Sequence, residues 1–214
     1  MVAKQSRGRR PAIARRPTFW RSHAVPLLLS LLLAALGFLE PTASQWLRYD
    51  RTAILNGEIW RIVTGNIVHF GWGHLALNLA GLLLLWFLFI RVIASGTWLL
   101  IILTGSLGVG IGILLFNPSI EWYVGLSGVL HTALAGGILL AIRAGERFQW
   151  VLLVFVSAKL AWEHVYGALP GSEETAGGPV LVDAHLYGAV TGIVLALLII
   201  ALTRRRPSHG AGAA

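Results

Sequence analysis

The sequence predicts an all-helical polytopic membrane protein. Hydrophobic residues make up 56% of its 214 residues, whereas charged residues make up only 12%. This composition leaves too little polar surface to cover a water-soluble core of this size. Long apolar segments recur along the chain, and several approach the roughly 20 residues that a helix needs to span a bilayer.

Six apolar segments are long enough to be considered as transmembrane helices, although the first and fourth are short. They are 25–39, 74–93, 97–116, 127–142, 148–166 and 184–202. The basic stretch before the first segment is also typical of a secretory signal peptide, but Thr42-Ala43-Ser44 is a poor cleavage site. Both interpretations place Glu40 on the outer side of the membrane.

Charge distribution predicts the orientation of these helices. If the amino terminus lies inside, 13 of the 17 Lys and Arg residues fall in inner segments and seven of the nine acidic residues fall in outer loops. The positive-inside rule therefore places both termini in the cytoplasm. We expect a basic cytoplasmic tail (1–24), a six-helix domain (25–203) and a second basic cytoplasmic tail (204–214). This distribution explains the net charge of +8 without nucleic-acid binding.

Two outer loops differ from simple turns. The loop 40–73 is too polar to span, and its aromatic residues, among them Trp46 and Trp60, suit the membrane interface. The loop 167–182 is rich in Gly and Pro, which favours mobility over regular structure. It is either a flexible lid or a solvated connector.

Polar residues begin the second, fourth and sixth apolar segments, all of which enter from the outer side. They are His74, Asn78, Ser127, His131 and His185. Since polar side chains in hydrocarbon turn toward the bundle interior, we expect these residues to meet at a similar depth below the outer face. This convergence favours a chemical site over a purely structural role.

A serine protease site is the chemistry that this set suits best. Ser127 needs a neighbouring general base, and the oxyanion formed on attack needs positioned donors. His131 is one candidate base, but it lies one turn deeper on the same helix, so His185 from another helix is favoured. Gly125 and Gly128 flank the serine and let backbone approach the substrate.

Other interpretations of the same residues remain open. A serine in a membrane helix often bonds a carbonyl one turn back. His69, His74, His131 and His185 are a possible zinc set, but a His-Glu-x-x-His motif is absent, so we expect no metal and no cofactor. Lys159 and Glu163, four residues apart, are expected to form an ion pair within their helix. The absence of cysteine excludes a thiolate nucleophile.

The ordered motifs resemble those of the rhomboid intramembrane serine proteases. These motifs are Trp60-Arg61, His69, His74-x-x-x-Asn78, Gly125-x-Ser127-Gly128 and Ala184-His185-x-x-Gly188-x-x-x-Gly192. The resemblance implies a six-helix rhomboid-like bundle in which Ser127 is the nucleophile and His185 the general base, without an acid. It also implies that His74, Asn78 and the Ser127 N–H bind the oxyanion.

The continuation of the serine motif to His131 resembles the bacterial rhombosortase subfamily. Trp162-Glu163 and the segment 182–188 share that resemblance, whereas Thr132 departs from it mildly. It implies cleavage of exported proteins that carry a C-terminal Gly-Gly-type membrane anchor, in the inner membrane, by a site that opens toward the periplasm. The expected partners are these transmembrane substrates and the lipid bilayer. An inactive protein that binds membrane helices is the alternative, and a transporter is a third hypothesis.

Overall fold

The computed structural model describes residues 19–204, with side chains described from 23 to 203. The described chain is mostly helical. Its helices, in chain order, are α1 (Phe19–Phe38), α2 (Thr42–Leu47), α3 (Arg51–Leu55), α4 (Arg61–Thr64), α5 (Trp72–Phe89), α6 (Ser95–Phe116), α7 (Ser127–Arg143), α8 (Gln149–Tyr166), α9 (Ser172–Ala176) and α10 (Val182–Arg204). Two short strands, β1 (Tyr49–Asp50) and β2 (Trp122–Tyr123), pair antiparallel.

Each of the six apolar segments forms one long helix, namely α1, α5, α6, α7, α8 and α10. By length and composition, three of the helices in the described range qualify as membrane spans: α5, α6 and α10. The apolar part of α1 and the whole of α7 are shorter, and α8 carries Lys159 and Glu163. The count of six spans therefore stays a prediction. The predicted tails fall almost wholly outside the described residues.

Helix α7 lies at the centre of the bundle, where it contacts α5, α6, α8 and α10. Small residues make its contact with α10 close. A Cβ atom placed on Gly188 would run into the carbonyl oxygen of Gly128, and one on Gly192 would run into the carbonyl oxygen of Thr132. Such small-residue faces let membrane helices approach backbone to backbone.

Large apolar side chains cover the outside of the long helices. Exposed examples are Leu84, Phe87, Val154, Phe155, Leu197 and Leu198, each with more than half of its surface exposed. A water-soluble protein rarely exposes contiguous apolar area of this extent. The outer surface of the bundle therefore suits a hydrocarbon environment.

The loop 40–73 folds around the buried guanidinium of Arg61, which is 6% exposed. Its Nε donates to a carboxylate oxygen of Glu58 at 2.7 Å, and its two terminal nitrogens donate to the carbonyls of Arg48 and Gln45, each at 3.1 Å. A planar guanidinium provides donors in several directions at once. Arg61 thus holds together the turns between α1 and α5.

Strand pairing joins this loop to the segment that precedes α7. Tyr49 lies opposite Tyr123, and the Arg51 N–H donates to the carbonyl of Glu121 at 2.8 Å. The loop 167–182 is not free of regular structure as its composition predicted, because α9 forms within it. A Cβ on Gly73 at the start of α5 would lie 2.8 Å from the carbonyl oxygen of Thr175, so α9 rests against α5.

Candidate active site

Ser127 begins α7 directly after a glycine turn. Gly125 has a φ of +124°, a backbone conformation that residues with side chains rarely adopt. Its N–H donates to the carbonyl of Gly65 at 3.0 Å, and its own carbonyl accepts the hydroxyl of Tyr123 at 2.8 Å. Burial raises the pKa of Tyr123, which keeps this hydroxyl a donor. The contacts of Gly125 with Gly65 and Tyr123 therefore fix where α7 begins.

A cavity of about 520 Å³ lies in front of Ser127. Ser127, His74 and Phe70 line it together with the segments 119–124 and 179–181. Most of its walls are apolar, including Ile120, Val124 and Leu181 among these segments. Such a cleft, with a few convergent polar groups, is typical of a binding site for a small ligand or a peptide segment.

Ser127 Oγ lies 3.0 Å from Nε2 of His185, although 58 residues separate them in the sequence. His185 sits in the first turn of α10 and is 5% exposed. The close contact between Gly128 and Gly188 brings the two helices near enough for this hydrogen bond. A hydroxyl that bonds to a positioned imidazole is the arrangement that activates a serine nucleophile.

His131 does not compete with His185 for the serine hydroxyl. Its Nδ1 lies 2.8 Å from the backbone carbonyl of Ser127, and its Nε2 lies 2.8 Å from the ammonium of Lys159. The imidazole rings of His131 and His185 stack, with 4.2 Å between their centroids and 19° between their planes. His131 thus contacts the Ser127 backbone and Lys159 rather than the serine hydroxyl.

Glu163 is the site residue that sequence reasoning missed. It forms the expected ion pair with Lys159 at 2.7 Å, but the same carboxylate oxygen also lies 3.0 Å from Nδ1 of His185. The resemblance implied a catalytic pair of serine and histidine without an acid. In this structure, by contrast, an acid contacts the histidine at Nδ1, the ring nitrogen that does not face Ser127. The available signal was a charged pair in an apolar helix, since such residues face the bundle interior.

His74 faces the glycine turn from α5. A Cβ on Gly125 would lie 2.6 Å from Cε1 of the His74 ring and 2.8 Å from its Nε2. The Phe70 N–H donates to His74 Nδ1 at 3.4 Å, which leaves the proton on Nε2, beside the turn. Asn78 is 3% exposed, and its amide donates to the His74 carbonyl at 3.0 Å.

His69 lies outside the cavity lining and contacts His74 edge to face, with 5.0 Å between ring centroids. Burial, and then the neighbouring His74, lower the pKa of His69 to about 3. This histidine is therefore neutral over the physiological range. Its contact with His74 supports the orientation of that ring.

The four histidines of the possible zinc set form two separate stacked or edge-on pairs. Within the described residues, His131, Glu163 and His185 do place three ligand-type atoms within 4.8 Å of one another. The ammonium of Lys159 lies 2.7 to 3.2 Å from all three of these atoms. A cationic side chain of the protein thus occupies the position that a metal ion would take.

Comparison with known proteins connects this geometry to a family. The family model described as the Rhomboid domain matches residues 56–202. The chain is similar to the proteins named Rhomboid protease GlpG from Salmonella newport (strain SL254) and Salmonella typhimurium, with 27% identity over 197 residues. Each alignment covers 89% of this chain and 66% of the relative, so the chain spans just under two thirds of the length of these relatives.

Proposed function

Because the chain belongs to the rhomboid family, we propose that it is an intramembrane serine endopeptidase. The observation that carries this proposal is the 3.0 Å contact between Ser127 Oγ and His185 Nε2 at the wall of an apolar cavity. The Salmonella relatives are named Rhomboid protease, which agrees with this proposal. Metal and cofactor chemistry are not needed by the proposed reaction.

In the proposed reaction, Ser127 Oγ attacks the carbonyl carbon of the scissile peptide while His185 Nε2 takes the serine proton. His185 then gives that proton to the leaving amine, and a water molecule activated by the same nitrogen hydrolyses the acyl-enzyme. The Ser127 N–H is available for the oxyanion, since the first N–H groups of a helix have no acceptor within it. His74 Nε2–H and Asn78 are the further proposed donors.

The proposed substrates are exported proteins with a C-terminal Gly-Gly-type membrane anchor. The continuation of the serine motif to His131, together with Trp162-Glu163, supports this rhombosortase-like assignment. The alternative is an inactive rhomboid-like protein that binds membrane helices. The hydrogen bond between Ser127 and His185 argues for the active form.

The proposed setting is the inner membrane of a bacterium, with six spans in residues 25–203. Tails 1–24 and 204–214 would lie in the cytoplasm, and the loop 40–73 and the cavity would face the periplasm. Charge distribution supports this orientation through the positive-inside rule. An alkaline phosphatase reporter, which is active only outside the cytoplasm, should be inactive after residue 204 and active within 167–182. The reverse result would contradict it.

The decisive experiment is co-expression with a protein that carries a Gly-Gly-type anchor. We expect the wild type to release the anchor and both Ser127→Ala and His185→Ala to leave it intact. Two matched controls, Ser157→Ala and His164→Ala, alter exposed residues of α8 and should cleave like the wild type.

Fluorophosphonate labelling of the purified chain tests the nucleophile separately from the substrate. Label should attach to the wild type and be lost in Ser127→Ala. Labelling that persists in that variant would refute the assignment of Ser127. A wild type that neither labels nor cleaves any tested anchor would favour the inactive alternative.

A further inference from the structure

Hydrogen bonds continue from His185 through two helices and return to Ser127. His185 Nδ1 contacts Glu163 at 3.0 Å, Glu163 contacts Lys159 at 2.7 Å, and Lys159 contacts His131 Nε2 at 2.8 Å. His131 Nδ1 then contacts the carbonyl of Ser127 at 2.8 Å. Five side chains from α7, α8 and α10 thus form a closed ring that begins and ends at the serine.

The carbonyl and the carboxylate in this ring only accept, and they favour one assignment of its protons. A carbonyl only accepts, so His131 Nδ1 carries a proton and its Nε2 is the acceptor for the Lys159 ammonium. The carboxylate of Glu163 also only accepts, so it accepts one hydrogen bond from Lys159 and another from His185 Nδ1–H. His185 Nε2 is then unprotonated and accepts a hydrogen bond from the hydroxyl of Ser127. A general base requires this protonation state.

Lys159 compensates the negative charge of Glu163, which is too buried for water to solvate it. The side chain of Glu163 is 4% exposed and that of His185 is 7% exposed. An unpaired carboxylate at such a position is expensive, whereas a paired one with further hydrogen bonds is tolerated. His131 Nε2 accepts a second hydrogen bond from the ammonium of Lys159 and so holds Lys159 beside the carboxylate.

We propose that Glu163 is a positioning residue for His185. It holds the imidazole with its proton on Nδ1 and its unprotonated Nε2 facing Ser127. The proposal rests on the proposed protease function. Glu163 stays ionised throughout, because the serine proton moves only to His185 Nε2 and from there to the leaving amine. Its negative charge also stabilises the imidazolium that exists between these two transfers.

Because Lys159 lies close to His185, the loss of Glu163 should lower the catalytic rate by more than the loss of one hydrogen bond would. Its ammonium lies 3.2 Å from His185 Nδ1. Without the carboxylate, the ammonium would donate to Nδ1 and the histidine proton would move to Nε2. That tautomer cannot take the serine proton, and the corresponding defect in a serine protease triad lowers kcat by about 10⁴-fold.

The test compares Glu163→Gln with the double variant Lys159→Met/Glu163→Gln in the purified full chain, with Glu146→Gln as the control at an exposed site. We expect kcat for anchor cleavage to fall about 100-fold or more in both, with KM changed less than about 3-fold, because both lack the negative charge that stabilises the imidazolium of His185. The fall should be larger in Glu163→Gln, where the ammonium of Lys159 also donates to His185 Nδ1. The double variant removes both charges, so its Tm should exceed that of Glu163→Gln while its kcat stays low.

A purely structural role predicts a different result, namely that the double variant recovers kcat together with Tm. That recovery would overturn the proposal, as would a kcat near the wild-type value in Glu163→Gln. If wild type and Ser127→Ala were equally inactive, the proposed function would fail instead. These outcomes are distinguishable because they concern different variants.

A second measurement uses the wild-type chain and needs no variant that might misfold. The ¹⁵N chemical shifts of His185 report which ring nitrogen carries the proton, and a His185→Asn sample assigns the signals. We expect the proton on Nδ1 in the free protein at neutral pH. A proton on Nε2 would overturn the proposal even if the variants failed to accumulate.

Discussion

Replacing Gly188 by alanine should separate the two helices that carry Ser127 and His185. The new Cβ would run into the carbonyl oxygen of Gly128, and a real Cβ essentially never approaches another heavy atom within 3.0 Å. A backbone oxygen inside a helix cannot rotate away as a flexible side chain can. Helix α10 must therefore move away from α7 by on the order of 1 Å.

This displacement acts directly on the reacting pair, since His185 lies one turn before Gly188 on the same helix. The contact between Ser127 and His185 would lengthen from 3.0 Å beyond hydrogen-bonding distance. A misplacement of about 1 Å can cost on the order of 100-fold in rate, or about 2.7 kcal/mol in activation free energy. Overpacking itself should cost about 1–3 kcal/mol of stability.

The assay is the second-order rate of fluorophosphonate labelling, because it reports the reactivity of the serine without a protein substrate. Gly96→Ala is the matched control, since a Cβ at that position of α6 has no atom within 4 Å. We expect Gly96→Ala to label at the wild-type rate and Gly188→Ala to label about 100-fold more slowly. A wild-type rate in Gly188→Ala would refute the argument that this contact sets the geometry of the site.

Three further predictions concern the segments that precede α5 and α7. Arg61→Lys should lower stability by about 1.5–3 kcal/mol and so lower Tm, because one ammonium cannot reach the three partners of the guanidinium; an unchanged Tm would contradict this. Gly125→Ala should lower the cleavage rate about 100-fold through its φ and the clash with His74, whereas Gly145→Ala, which has a similar φ of +94° and open space, should cleave normally. Folded His69 has its pKa lowered to about 3, whereas the unfolded chain takes up a proton near 6.5, so stability is lost as pH falls between these values. Unfolding at pH 7 and pH 4 should show that the wild type loses roughly 3 kcal/mol more than His69→Gln, and equal losses would contradict the burial argument.

The sequence predicted well at which end of its helix each of the following site residues lies, because the order of residues along a helix fixes that end. His74, Ser127 and His185 each follow a loop, and the structure has each of them in or near the first turn of its helix. Their proposed roles remain predictions. The glycines of the last helix also indicated a close approach, which the contact between Gly188 and Gly128 confirms.

The sequence could not predict in the same way which face of each helix points at its neighbours. Lys159 and Glu163 share one face of α8, but only the contacts with α7 and α10 decide that this face points at His131 and His185. Helix α8 has no glycine that would mark its contact face. The charged pair was therefore predicted correctly as a pair, while its neighbours were not.

The strand pair escaped prediction for a different reason. Each strand is two residues long, which is too short for an alternating pattern to be recognised. Tyr49 and Tyr123 are also far apart in the sequence, so no local turn indicates that they meet. The structure nevertheless depends on this pair, because it positions the glycine turn before α7.

The separation of 58 positions between Ser127 and His185 has a consequence for the synthesis of the protein. The ribosome completes the serine-bearing helix well before α10 leaves the exit tunnel. During that interval Ser127 has neither the imidazole of His185 nor the contact between Gly128 and Gly188 that orients it. The proposed protease would therefore not cleave other newly inserted segments until α10 has packed against α7.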